Sequence, residues 1–220
     1  MMPMFPLGTV LFPGAVLPLH VFEPRYREMV RQCLDSTEHE FGVVLIERGT
    51  EVGGGDVRSR FGTVARMLQV AEMDDGRYAI VTVGTRRIRV NAWVPDDPYP
   101  LADVDDWPDV DNDGPELEQR VHTVAARVRR INALASELGD PHADATTEIS
   151  EDPLVASYHL AALAPIGPAD QQRLLAAAGP RERVDMLDAT LDDIEAMMQF
   201  RLHHPSNESR EHDADDLEGP

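Results

Sequence analysis

Residues 5–34 read Phe-Pro-Leu-Gly-Thr-Val-Leu-Phe-Pro-Gly-Ala-Val-Leu-Pro-Leu-His-Val-Phe-Glu-Pro-Arg-Tyr-Arg-Glu-Met-Val-Arg-Gln-Cys-Leu. Two apolar runs, Val10–Phe12 and Val16–Val21, are bounded by Pro and Gly, which predicts short buried strands within residues 3–22. Glu23-Pro24 then opens a helix, with proline at the first helical position, where its missing N–H costs nothing. Tyr26, Met29, Val30, Cys33 and Leu34 follow at helical spacing and mark the face that turns inward. Cys33 belongs to that stripe and is read as a core thiol.

Working outward, residues 41–94 have the pattern of a β-meander. Phe41–Ile46 is an apolar run, and Phe61–Val70, Tyr78–Val83 and Arg87–Val94 are strand-like. Gly53-Gly54-Gly55 reads as a loop and Asp74-Asp75-Gly76 as a hairpin turn. In the last strand Ile88 and Val90 alternate with Arg87, Arg89 and Asn91, so the first set is expected in the core and the second in solvent. Short strands joined by Gly-rich turns predict a small barrel or folded sheet.

The composition then changes. Residues 96–116 are crowded with aspartate and proline and read as an acidic linker, with room for one last edge strand in Tyr99–Trp107. Leu117, Val121, Val124, Val128, Ile131, Leu134 and Leu138 describe a long amphipathic helix ended by Gly139. Residues 140–150 are polar and read as loose. Asp152-Pro153 has cap and first-turn chemistry for a helix over Leu154–Leu163. Pro168–Ala178, closed by Gly179, and a last helix marked by Val184, Leu187, Leu191, Ile194, Met198 and Leu202 complete a helical unit over 117–204. Residues 205–220 are polar and acidic and are expected to be disordered. The fold class is therefore α+β, with a β unit over 1–95 followed by helices.

Charge follows the same division. The formal net charge is −20. Residues 1–95 hold eleven arginines and eleven acids, whereas residues 96–220 hold nine arginines and twenty-nine acids. Such a surface repels nucleic acid and anionic membranes. Apolar as it is, the N-terminus has no basic residue before Arg25 and is broken by Pro3, Pro6, Pro13 and Pro18, unlike a signal peptide. The cytoplasm is the expected location.

All twenty basic residues other than histidine are arginine; there is no lysine. A Walker A phosphate loop needs a lysine to reach the terminal phosphates, and a Ser–Lys peptidase needs one as base. Neither can be built from these 220 residues. A single cysteine excludes an internal disulfide and cysteine-pair metal sites. His203, His204 and His212 form a histidine cluster near a helix end, but a fraying segment gives poor ligand geometry. No catalytic, metal or cofactor residue is expected. Arg86, Arg87 and Arg89 form the one basic cluster on a strand, and with few aromatics nearby it reads as a solvated face rather than an RNA site.

The stretch quoted above resembles the opening of Lon protease N-terminal domains, in its Phe-Pro-Leu strand (5–7), Leu-Phe-Pro-Gly turn (11–14) and Phe-Glu-Pro-Arg-Tyr segment (22–26). The resemblance continues through Phe41–Ile46, Gly62–Arg66, Asp75–Tyr78 and Gly84–Val90, and through Asp152–Leu163, Gln171–Leu175 and Arg181–Leu187. It implies a PUA-like β-barrel over 1–95 followed by a C-terminal α-helical subdomain. It also implies a substrate-binding role. With the chain ending near residue 220, the expectation is a stand-alone, non-catalytic polypeptide-binding or adaptor protein. Its partners would be unfolded or partly folded polypeptides, or a dedicated protein. Phe22, Arg25 and Tyr26, where strand meets helix, are the candidate peptide-binding residues, although aromatics at such a junction more commonly pack inward. The alternative is a small-ligand or RNA-binding PUA-like module.

Overall fold

The run Phe41–Ile46 forms the middle of a strand, β3 (Glu40–Arg48), and both faces of that strand are covered. Phe41 and Val43 enter one core and Val44 another, which is why the run reads as continuously apolar. The structure is a computed structural model and describes residues 1–51, 55–110, 114–139 and 148–203. β3 pairs in parallel with β1 (Met2–Leu7) and antiparallel with β4 (Val57–Glu72). β4 pairs with β5 (Tyr78–Val94), whose second half pairs with β6 (Leu101–Asp106), and β6 returns to β1. The ladder therefore closes on itself through five strands. Met4, Val44, Val64, Ile88, Val90 and Ala102 fill its interior, with every one of the five strands contributing.

Three expectations change here. The segment of Tyr99–Trp107 expected at a sheet edge is paired on both sides, because β6 closes the circuit. Tyr78–Val83 and Arg87–Val94 are one continuous strand. Gly84 at its middle marks a close approach rather than a turn: a Cβ there would lie 2.3 Å from the Phe12 carbonyl oxygen. Val10–Phe12 is no strand. It belongs to a loop pinned by hydrogen bonds from Gly14 N–H to Gly84 C=O and from Gly84 N–H to Ala15 C=O, at 2.8 and 2.9 Å. Its apolar character serves packing instead, since Leu11 enters the core beneath α1 and Phe12 the core of the helices.

α1 (Pro24–Asp35) has Pro24 in its first turn and buries Tyr26, Met29, Val30 and Cys33 against the outer side of the circuit. Leu34 falls at the margin of that stripe and is exposed. Burial in apolar surroundings pushes the Cys33 thiol up to about 11, as expected of a core thiol.

The helices α2 (Pro115–Glu137), α3 (Pro153–Leu163), α4 (Pro168–Ala176) and α5 (Pro180–His203) share one core. Leu117, Val124, Ile131, Leu160, Leu187 and Leu191 are fully buried there. Each such side chain contributes roughly 1.5–3 kcal/mol of apolar burial. The Asp152 carboxylate caps α3 by accepting from Leu154 and Val155 N–H. Leu202, expected on the inward face of the last helix, is exposed. α4 stops at Ala176, short of the expected Ala178, because the carbonyls of Ala177 and Ala178 turn away to accept from Arg87 and Val110. Gly53, Gly54, His204, His212, the 205–220 segment and most of 140–150 lie outside the described residues.

Candidate functional site

Val16 to Val21 forms β2, and among the described residues its only strand partner is the first half of β5. Leu17, Leu19 and Val21 turn inward, onto the core beneath α1. Val16, Pro18 and His20 turn outward, and Phe22 continues the alternation just beyond the strand. Pro18 is tolerated because an edge strand has no neighbour to receive its missing N–H. The strand was expected to be buried, but only one of its faces is.

The outward row does not stand alone. Pro18 lies opposite Val81 and His20 opposite Ala79 on β5; these in turn face Gln69 and Ala71 on β4. A bulge between Met67 and Gln69 throws Leu68 out of the ladder, where it is exposed. Bulges bend and twist a strand, and this one gives the outer face of β2, β5 and β4 a shallow groove of about 550 Å³. Its lining carries no formal charge other than a histidine's. Val16, Phe22 and Leu68, at 62%, 54% and 55% exposure, extend the apolar surface around it. Exposed apolar side chains gathered around a groove on a folded domain are characteristic of interaction sites.

The three residues singled out from the sequence fall in different places. Phe22 is exposed at one end of the outward row. Tyr26 is 2% exposed and stacks on Phe5 with ring centroids 4.2 Å apart. Its burial pushes the phenol up to about 12. Arg25 lies over the Tyr26 ring at 4.5 Å, pairs with Glu23 at 3.1 Å and donates to the Glu51 carbonyl. Arg25 thus lids the junction, Tyr26 anchors it and Phe22 projects from it. A sequence signal that these three residues leave out is the period-2 row running back from Phe22 through His20, Pro18 and Val16.

The basic cluster on β5 is engaged internally. Arg86 pairs with Glu40 and Asp106, and Arg89 with Asp105. Burial alone would raise the Glu40 carboxyl, but hydrogen bonds and charge from Arg86 and Arg66 outweigh it and hold the group below the usual carboxylate range. Arg87, expected in solvent, is buried. It donates to the carbonyls of Leu175 and Ala177 and pairs with Asp109 at 3.0 Å. Arg183 of α5 meets the same carboxylate at 2.6 Å, lies 4.0 Å from the Tyr158 ring centroid, and donates to Ser157 and the Leu174 carbonyl. The Tyr158 hydroxyl also donates to Asp109. This strand face was expected to be solvated; α4 and α5 cover it at Arg87, while Arg89 remains partly exposed and Asn91 exposed.

Among the described residues no three histidine, cysteine or acidic side chains are grouped to hold a metal, and no helix is long and apolar enough to cross a membrane. The strongly shifted acids, Tyr26, Cys33 and Tyr158, owe their shifts first to burial in packed surroundings. Burial alone would lower the guanidiniums of Arg58 and Arg127, but their carboxylate partners outweigh it and raise both. None is paired with a nucleophile and base in the manner of an acyl- or phosphoryl-transfer site.

Residues 1–193 match the model of the ATP-dependent protease La (LON) substrate-binding domain. A curated relative, the Lon protease of Parabacteroides distasonis, is 24% identical over 221 residues, a match covering 94% of this chain and 26% of that protein. The chain thus spans about a quarter of its relative's length. The crystal structure of a Lon N-terminal domain protein from Xanthomonas campestris superposes with a TM-score of 0.62 at 29% identity, covering 86% of this chain and 96% of that one. The N-terminal domain of Mycobacterium avium complex Lon protease superposes with a TM-score of 0.60 at 20% identity, covering 87% and 98%, and shares the fold.

Proposed function

This chain belongs to the LON substrate-binding domain family, and on that premise we propose that it captures polypeptides without acting on them chemically, as a binding or adaptor module. An exposed apolar segment lies across the outer face of β2, β5 and β4. Phe22 is the contact residue at its end, and Arg25 and Tyr26 hold Phe22 in place from behind. The observation that carries this reading is the outward row Val16, Pro18, His20 and Phe22. Pro18 and His20 line one side of a groove that holds no carboxylate or guanidinium, and Val16 and Phe22 extend the row beyond it at either end. Exposed apolar side chains of an unfolded polypeptide gain by leaving water for such a surface, at about 25 cal/mol per Å² buried.

The RNA-binding alternative draws no support from the arginines of β5, each of which already faces a carboxylate. The test is anisotropy of a fluorescently labelled, permanently unfolded polypeptide titrated with the protein. The reading expects saturable binding that persists at high salt and weakens roughly tenfold or more in Phe22→Ala, the factor that loss of ~1.5 kcal/mol of aromatic burial corresponds to. Absence of binding, or binding indifferent to Phe22→Ala and to His20→Glu together, contradicts it.

A further inference from the structure

The seam between the strands and the helices holds a second cavity, of about 380 Å³, on which polypeptide capture makes no demand. Its walls are mostly apolar: Pro13 from the first loop, Trp107 and Pro108 from the segment after β6, and Leu154, Val155 and Tyr158 from α3. Cavities of roughly 300–1,000 Å³ with apolar walls and a few placed polar groups are the usual form of small-molecule sites.

The polar groups are at the Arg87 side, where Arg86 and Arg87 line the cavity together with the carboxylates Asp106 and Asp109. Arg87 lines the cavity, and Arg183 sits behind it; the two guanidinium side chains are 1% and 0% exposed. One buried carboxylate, Asp109, serves both. The Tyr158 hydroxyl donates to Asp109 and so draws on the same acceptor. The other partners of Arg87 are backbone carbonyls, which bring dipoles and no charge. Glu182 also acts on Arg87, but from the exposed side, where water screens it. At the rim, Arg86 is matched by Glu40 and Asp106. The buried part of the cluster therefore carries two positive charges against one negative. Two donors on lining residues, Arg87 Nε and Trp107 Nε1, are buried with no acceptor. An uncompensated buried cation and orphaned donors are both costly, and one anionic group relieves both.

We propose that this cavity binds a small organic carboxylate. Its apolar body lies against Trp107, Pro108 and Val155, and its carboxylate turns toward Arg87 and the Trp107 indole. The carboxylate supplies the missing negative charge and two oxygens for charge-assisted hydrogen bonds, in surroundings where water does not weaken them. The site joins β5, the segment after β6, and α3. An occupant therefore binds the strand and helix halves together and stabilises the folded chain by mass action.

The test follows thermal unfolding and calorimetric binding with phenylacetate, benzoate and octanoate, at fixed pH and ionic strength, each against its neutral amide. At least one acid is expected to raise Tm saturably, with its amide roughly tenfold weaker or more. Tenfold corresponds to ~1.4 kcal/mol of charge recognition. Val155 is half-buried on α3 and lines this cavity, so Val155→Trp fills the space while the arginines themselves are left unsubstituted. That variant should keep its fold and its binding of unfolded polypeptide while losing the response to the acid. The proposal is overturned if none of the acids binds, if acid and amide bind alike, or if Val155→Trp binds the acid undiminished. Polypeptide binding on the β2 face is read separately, so failure of either reading leaves the other measurable.

Discussion

Arg183 of α5 donates to Asp109 at 2.6 Å, and both side chains are shut away from solvent. Asp109 lies just past the last strand and also meets Arg87 of β5. One carboxylate thus ties the closing strands to the helices. Gln172 adds to the same seam by donating to the Phe61 carbonyl at 3.0 Å, and Val110 N–H by donating to Ala178 C=O at 3.0 Å.

Removing that carboxylate leaves two buried guanidiniums without a counter-charge. Asp109→Ala is expected to lower stability by about 3–5 kcal/mol, the cost of breaking a buried pair from one side. Asp105→Ala removes the partner of Arg89 in an exposed pair, and should cost less than about 1 kcal/mol. Urea unfolding of the two variants side by side measures the contrast.

Phe22 and Tyr26 are four residues apart in the sequence and opposite in role. Phe22→Ala should change stability by less than about 0.5 kcal/mol, while Tyr26→Ala, which empties a stacked and buried position, should cost about 3–5 kcal/mol. Polypeptide binding, measured on variants that remain folded, should fall in Phe22→Ala and hold in Tyr26→Phe.

Two buried acids set an alkaline limit. The Cys33 thiol is raised from 9.0 to about 11 and the Tyr26 phenol from 10.0 to about 12, both first by burial. In each case the folded state holds its proton more tightly than the unfolded state. Their contribution is therefore complete below pH 9 and is lost as pH rises through 11 and 12. Unfolding free energy followed against pH should be insensitive to these groups below 9 and decline above it. Cys33→Ala should remove the earlier part of the decline, and thiol reagents should label native Cys33 only as fast as the chain opens.

At Gly179 there is no room for a side chain: a Cβ would lie 1.8 Å from the Val110 carbonyl oxygen. Gly179→Ala should force the seam apart at a cost of about 1–3 kcal/mol, readable as a fall in urea midpoint.

Much of this architecture is legible in the amino-acid sequence alone. The α1 stripe, the Asp152 cap and the spacing of α2 are local signals, because each depends on residues within one or two turns. What covers a strand is not local. Arg87 alternates with Ile88 as a solvent-facing residue should, and its burial follows only from α4 and α5 docking some ninety residues later. Val10–Phe12 reads as a strand because a loop filling two cores is as apolar as a strand. Gly84 reads as a break because close packing and turning both call for glycine. For the candidate site, the position of Phe22 at the strand–helix junction points to it, but the groove it borders depends on β4 and β5 lying beside β2, a pairing across sixty residues.

The most direct test of polypeptide capture on the β2 face is site-specific photo-crosslinking. A photoreactive side chain replaces His20 in the outward row or, as control, Arg129, exposed on α2. Crosslinking to a permanently unfolded polypeptide is expected from position 20, to be competed by unlabelled polypeptide, and to be near background from position 129. Equal labelling from both positions, or labelling from 129 alone, would contradict the account.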